Sequence, residues 1–176
     1  MQSQHYHIRE AKPDEHLDIG QLMVHVYSQL PGFPSPHEQP AYYQLLANIG
    51  ALTEKPMTKL LVAVSSTGKI GGAVIYFGDM QYYGAGGIAA SEKNAAGFRL
   101  LAVNPETRGH GVGKKLTQTC ISLAIEEQQH QVIIHSTKAM KIAWRMYERM
   151  GFKRAEELDF KQDKLQVYGF RLLLRS

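Results

Sequence analysis

The residues best suited to chemistry lie between Leu100 and Leu116, in the run Leu100-Leu-Ala-Val-Asn-Pro-Glu-Thr-Arg-Gly-His-Gly-Val-Gly-Lys-Lys-Leu116. Apolar residues of strand type give way to a short loop, and glycines 109, 111 and 113 then open a helix. Glycine reaches positive φ without penalty and lets the backbone approach a ligand closely. The first turn of a helix leaves its N–H groups unpaired. With the helix dipole, those groups make an anion site suited to a pyrophosphate. Each charge-assisted N–H bond there contributes ~1.5–3 kcal/mol. Arg108 and Lys114 flank the site with positive charge.

Two familiar phosphate motifs fail against this stretch. A P-loop needs four residues between its glycines and then Lys-Ser/Thr, whereas Gly109 and Gly113 enclose three and Lys114 is followed by Lys115. The dinucleotide fingerprint needs Gly-x-Gly-x-x-Gly near the first strand, whereas this run is Gly-x-Gly-x-Gly and late in the chain. The eight histidines form no HExxH pair, and the single Cys120 allows neither an internal disulfide nor a cysteine-based zinc site, so no metal is expected. His135 reads as a core histidine, and Cys120 as a small core residue.

The elements that must position this run can be read around it. A strand is expected over residues 5 to 10, helices over 14 to 30 and 38 to 51, and a rigid Pro31–Pro36 loop between them. Strands at 60 to 64 and 70 to 77 meet at a Thr67-Gly68 turn as a hairpin. A long loop rich in Gly and Ala fills 78 to 96 and reads as functional. A strand at 98 to 103 leads to a helix at 112 to 129, a buried strand at 132 to 135, and a helix at 139 to 150 stopped by Gly151 in the C′ position. Strands at 152 to 158 and 165 to 174 close the chain. This order predicts one α/β domain over residues 1–176, with helices packed on a mixed sheet.

Arg108-x-x-Gly111-x-Gly113 resembles the signature of the GNAT superfamily of acyl-CoA-dependent N-acyltransferases. Leu101-Ala-Val-x-Pro105 precedes it, and Ala143-Trp-Arg-Met-Tyr147-Glu-Arg-Met-Gly151-Phe152 follows, similar to the family's Ala-x-x-x-Tyr-x-x-x-Gly-Phe segment. With the matching order of elements, the resemblance covers nearly the whole chain, and the run Phe98-Arg-Leu-Leu-Ala-Val103, with Met140 and Arg154-Ala-Glu-Glu-Leu-Asp159, resembles a bacterial-type subgroup of the family without an assigned acceptor. It implies a mostly antiparallel sheet, helices on both faces, and two splayed parallel strands forming an acyl-CoA cleft. It also implies acetyl-CoA as co-substrate. The pantetheine arm would pair with backbone at Leu101 and Val103, around Ala102. The N–H groups of Gly109, His110, Gly111, Val112, Gly113 and Lys114 would hold the pyrophosphate, with Arg108 beside them and Ala143 lining the cofactor site.

The implied reaction is direct attack of an amine on a thioester. It needs an unprotonated amine, a stabilised oxyanion and a proton for the departing thiolate. Tyr147 matches the family's general acid, and a phenol of pKa ~10 can donate to a thiolate of ~8.5. The oxyanion would meet the Val103 N–H. Many members carry a Glu just ahead of the residue matching Phe98; here it is Gly97. Glu92, Asp79 or a water chain could serve as base, and Tyr82 or Tyr83 could line the acceptor pocket. Met140 stands where many members have Asn.

Composition narrows the rest. The chain has 176 residues, 44% hydrophobic and 20% charged, with a net charge of +4, values of an ordinary globular protein. No apolar run approaches a membrane span and the first residues lack a signal-peptide core, so a cytoplasmic setting is expected. Basic residues cluster after the glycine turn and along 138 to 154, the latter reading as a solvated helix face. No nucleic-acid module and no membrane partner are expected. The expected acceptor is a small-molecule or amino-acid-like amine. The alternatives are a protein N-terminus or lysine, and a non-catalytic acyl-CoA sensor favoured by Gly97. The oligomeric state, homodimer included, stays open.

Overall fold

A computed structural model describes residues 5–174. The reading of the first four residues therefore lies outside the described part. The elements are β1 (Tyr6–Glu10), α1 (His16–Ser28), α2 (Pro40–Ala47), β2 (Thr58–Ser65), β3 (Ile70–Phe77), β4 (Ala95–Val103), α3 (Val112–Glu126), β5 (Gln131–Ser136), α4 (Lys141–Arg149), β6 (Lys153–Arg154), β7 (Phe160–Gln162) and β8 (Leu165–Leu173). The strands form a mixed eight-stranded sheet in the order β1-β2-β3-β4-β5-β8-β6, with β7 pairing β8. The chain divides into two compact units, and β3 and β4 each contribute to both.

The first unit comprises residues up to Ile75 and Leu100–Thr119. Its strands bury both faces, as the apolar runs of β2 and β3 require. β1 pairs antiparallel with β2 from Tyr6↔Ser65 to Glu10↔Leu61. Arg9 grips Glu15 with two bonds of 2.8 and 2.9 Å, and the same carboxylate accepts from the Lys12 N–H at 2.8 Å. This clasp joins the end of β1 to the start of α1. The helix expected over 38 to 51 stops at Ala47 and continues as a 3-10 segment, Ile49–Glu54. Asn48 sits at the break, its side-chain amide donating back to the Gln44 carbonyl at 2.9 Å, a local bond that competes with a continuing helix.

The second unit comprises Tyr76–Arg99 and the chain from Cys120 onward. β4 and β5 run parallel, with register Ala95↔Gln131, Ala96↔Val132 and Gly97↔Ile133, and β5 pairs antiparallel with β8. α4 ends as expected. The Phe152 N–H bonds the Tyr147 carbonyl at 3.0 Å, the Gly151 N–H bonds Glu148 at 3.1 Å, and Gly151 has φ +99°. The strand expected over 152 to 158 is shorter: only Lys153 and Arg154 pair with β8, and a 3-10 turn follows at Glu156–Leu158. Asp159 takes the Gly169 N–H at 2.7 Å, so a side chain satisfies a β8 donor that a longer strand would have used. β4 begins at Ala95, three residues before the expected start.

Candidate active site

Each unit carries some of the residues singled out from the sequence. In the first, the end of β4 leads through a 3-10 turn, Pro105–Thr107, into α3. Asn104 caps that turn, its side-chain oxygen accepting from the Glu106 N–H at 3.0 Å. The Asn104 N–H and the buried Thr107 hydroxyl both donate to the Gly71 carbonyl, at 2.8 and 2.9 Å, which ties the loop to β3. Thr107 was not evident from sequence; nothing in its type or spacing marks it, whereas the Asn-Pro pair does signal a turn.

The loop then exposes Arg108, Gly109, His110 and Gly111. Gly109 and Gly111 have φ values of +87° and +73°, and a Cβ at either would meet no atom within 4 Å. The backbone is thus left-handed and open on its outer side, the shape of a cradle for a group that approaches the main chain. Val112 is buried and packs toward Gly72, so its side chain anchors α3. Gly113 is half-buried and Lys114 exposed.

Leu101, Ala102 and Val103 lie on β4. The Ala102 carbonyl points toward Gly72 of β3. The Leu101 carbonyl accepts a 2.8 Å bond from the Tyr27 hydroxyl of α1, a contact the sequence did not reveal. Ahead of them Leu100 has φ +62°, a left-handed residue within a strand and a local strain of the kind found at functional sites.

In the second unit the β4–β5 register ends at Gly97↔Ile133, although β5 continues along β8 to Ser136. Ala143 and Tyr147 stand four residues apart on α4, on one helical face. The Tyr147 ring is buried against Phe98 and Phe152, at centroid distances of 5.9 and 5.8 Å. Burial pushes its phenol up, so it stays protonated. No hydrogen bond of its hydroxyl is found among the described residues.

On the Gly97 side of β4, a Cβ at that position would lie 2.8 Å from the Ile133 carbonyl, the Met80 sulfur and the Tyr83 ring. Tyr83 therefore fills the space a longer residue would enter. Its hydroxyl bonds His135 Nδ1 at 3.0 Å, and His135 Nε2 contacts the Leu158 carbonyl at 2.9 Å. A carbonyl only accepts, so Nε2 carries the proton and Tyr83 donates to Nδ1. Burial lowers the His135 pKa, so the imidazole is neutral at pH 7. The two carboxylates weighed as bases have other partners: Glu92 pairs with Arg171 at 2.6 Å, and Asp79 caps a 3-10 turn by accepting from the Gln81 N–H at 3.1 Å.

Among the described residues, no helix is long and apolar enough to cross a membrane, and no group of three or more His, Cys, Asp or Glu side chains could hold a metal.

A strand end, an open glycine loop at a helix N-terminus, and parallel strands whose pairing stops midway are features of an acyl-CoA-dependent transferase. The model of the acetyltransferase (GNAT) family matches residues 22–152, and the chain belongs to that family. No curated protein matches the sequence. Among solved structures, it is similar to a GNAT-family acetyltransferase from Staphylococcus aureus Mu50, at 16% identity and TM-score 0.74, covering 97% of this chain and 99% of that one. It is also similar to YncA from Salmonella typhimurium with its cofactor acetyl-CoA, at 16% identity and TM-score 0.66, covering 97% and 94%. A chimera built on the spermidine N-acetyltransferase SpeG of Vibrio cholerae also has 16% identity and TM-score 0.66, covering 96% and 95%. These likenesses show the shared fold.

Proposed function

We propose that the protein is an acetyl-CoA-dependent N-acetyltransferase whose acceptor is the amine of a small or amino-acid-like molecule. The observation that carries this reading over a non-catalytic acyl-CoA sensor is Tyr147, a buried ring with a hydroxyl unbonded among the described residues. A sensor has no use for an unspent donor in that place. Acetyl-CoA supplies the activated acyl group as a thioester. The open loop at Gly109–Gly111 and the first turn of α3, with Arg108 and Lys114, hold its pyrophosphate, and the backbone of Leu101–Val103 takes the pantetheine arm.

Tyr147 holds a proton at Oη and gives it to the departing thiolate sulfur as the acceptor nitrogen forms its new bond to the acyl carbon. The acceptor's surplus proton leaves to solvent, and solvent returns a proton to the Tyr147 phenolate, which restores the acid. Burial that raises the phenol also raises a thiolate held beside it, so proton transfer between them stays feasible. No step uses a metal. A reducing cytoplasmic setting suits the single, buried Cys120. An amine library with acetyl-CoA, read by thiol release, tests this proposal. Turnover on at least one amine, together with a CoA-dependent rise in Tm, is expected. A CoA-dependent rise in Tm without thiol release on any amine would support the sensor instead.

A further inference from the structure

Four described arginines are half-buried: Arg9, Arg99, Arg154 and Arg171. Three have carboxylate partners, Arg9 with Glu15 at 2.8 Å, Arg154 with Asp159 at 2.7 Å and Arg171 with Glu92 at 2.6 Å. Arg99 has none among the described residues. Its Nη1 donates to the Tyr83 carbonyl at 2.8 Å, and its guanidinium lies over the Tyr83 ring at 5.6 Å from the centroid. Those contacts fix the orientation of the fork, yet leave Nε and Nη2 without a hydrogen-bond acceptor there. The planar fork, held in place with two donors free, suits the two oxygens of a carboxylate.

Among the described residues, the surroundings supply no such anion. His135 is kept neutral by burial, and Arg99 itself adds to that effect. Asp159, whose charge also acts on His135, is spent on Arg154 and on the Gly169 N–H. The position is close to the chemistry, because Arg99 lies two residues beyond Gly97, where the pairing of β4 with β5 ends, and on the same strand face. Gly84, with φ +78°, turns the chain beside Nη1, so no side chain of that residue crowds the fork.

We propose that Arg99 binds a carboxylate carried by the acceptor, which makes the substrate class an amine bearing a carboxylate, of the α-amino-acid type. This rests on the reading of the chain as an acetyl-CoA-dependent transferase. The same cation disfavours polyamines and lysine side chains, since like charges repel.

The test compares L-amino acids with their α-carboxamides as acceptors, read by thiol release, in wild type, Arg99→Gln and Arg99→Lys. The carboxylate makes its neighbouring amine hold a proton more tightly, so intrinsic reactivity favours the amides. Against that bias, wild type is expected to prefer at least one acid over its amide by about 30-fold or more in kcat/KM. Arg99→Gln should lose at least about tenfold of that ratio, chiefly through KM, and Arg99→Lys should recover part of it. A retained CoA-dependent rise in Tm shows that a variant is folded and binds cofactor. If Arg99→Gln does not fold, the wild-type ratio and Arg99→Lys decide. Binding gives a second readout that does not require turnover: N-acetyl-amino acids should raise the Tm of the CoA-saturated protein where their amides do not. Equal or better use of amides, polyamines or peptides, an unchanged ratio in Arg99→Gln, or no Tm shift with any carboxylate overturns the proposal. Loss of the CoA shift in wild type sinks the transferase reading itself.

Discussion

At the scale of single residues, Tyr147 and Gly97 carry opposite demands. Tyr147→Phe keeps the ring between Phe98 and Phe152 and removes only the proton, so kcat should fall by about 10²-fold or more, while CoA affinity changes by less than about threefold. Steady-state kinetics with a CoA titration check this; a Phe variant within about threefold of wild-type kcat removes Tyr147 from proton transfer. Gly97 is defined by close contact. A methyl there meets Ile133, Met80 and Tyr83 at 2.8 Å, two of them across strand or ring atoms that cannot swing away. Gly97→Ala should therefore destabilise by roughly 1–3 kcal/mol, read as a lower urea midpoint with an unchanged slope. Gly97→Glu should be worse and should not install a useful base, because Tyr83 occupies its path.

At the scale of elements, the loop between β4 and α3 was legible because glycine spacing and helix-start chemistry are local properties. The prediction that follows is local too. Gly111→Asp adds a side chain at φ +73° and a negative charge on the open outer face of the cradle. The folded protein should lose about 1 kcal/mol from the strained φ, and the CoA-dependent rise in Tm should disappear. A full CoA shift in this variant would remove the pyrophosphate from that loop. Strands with continuous apolar runs, such as β2 and β3, and the Gly151 helix stop were equally readable. The failures share a cause, which is that a distant or side-chain partner decided the outcome. Asn48 breaks the second helix with its own amide, and Asp159 replaces a strand ladder at Gly169. Within the site, the Tyr27 bond to Leu101 spans α1 and β4, and no spacing rule connects residues so far apart in sequence. Arg99 escaped notice for a related reason. Its significance lies in the partner it lacks, and that is visible only once the partners of the other half-buried arginines are known.

At the scale of the whole molecule, two sets of groups make stability depend on pH in separate windows. His135 has its pKa lowered by burial from the ordinary 6.5. Below that ordinary value the unfolded chain takes up a proton that the native imidazole refuses, so stability falls as pH drops below about 6.5. The carboxylates act lower down. The Arg9 bonds hold Glu15 at about 2, against an ordinary 4.5. Burial pushes Asp159 upward, but the bonds from Arg154 and Gly169 outweigh it and keep its carboxyl below the usual value. A carboxylate with a depressed folded pKa contributes stability that is present above its unfolded pKa and lost as pH falls toward its folded one. Melting temperature should therefore be flat from about pH 8 to 7, decline as pH falls below about 6.5, and decline further below about 4.5. His135→Gln keeps a group that can accept from Tyr83 and donate to Leu158, so it should flatten the first decline and leave the second. Glu15→Gln should do the reverse, lowering Tm at pH 7 by a few degrees and reducing the slope below 4.5. Thermal scans across this range in both variants test the assignment; a decline starting below about pH 6.5 that survives His135→Gln unchanged would place its origin in another group.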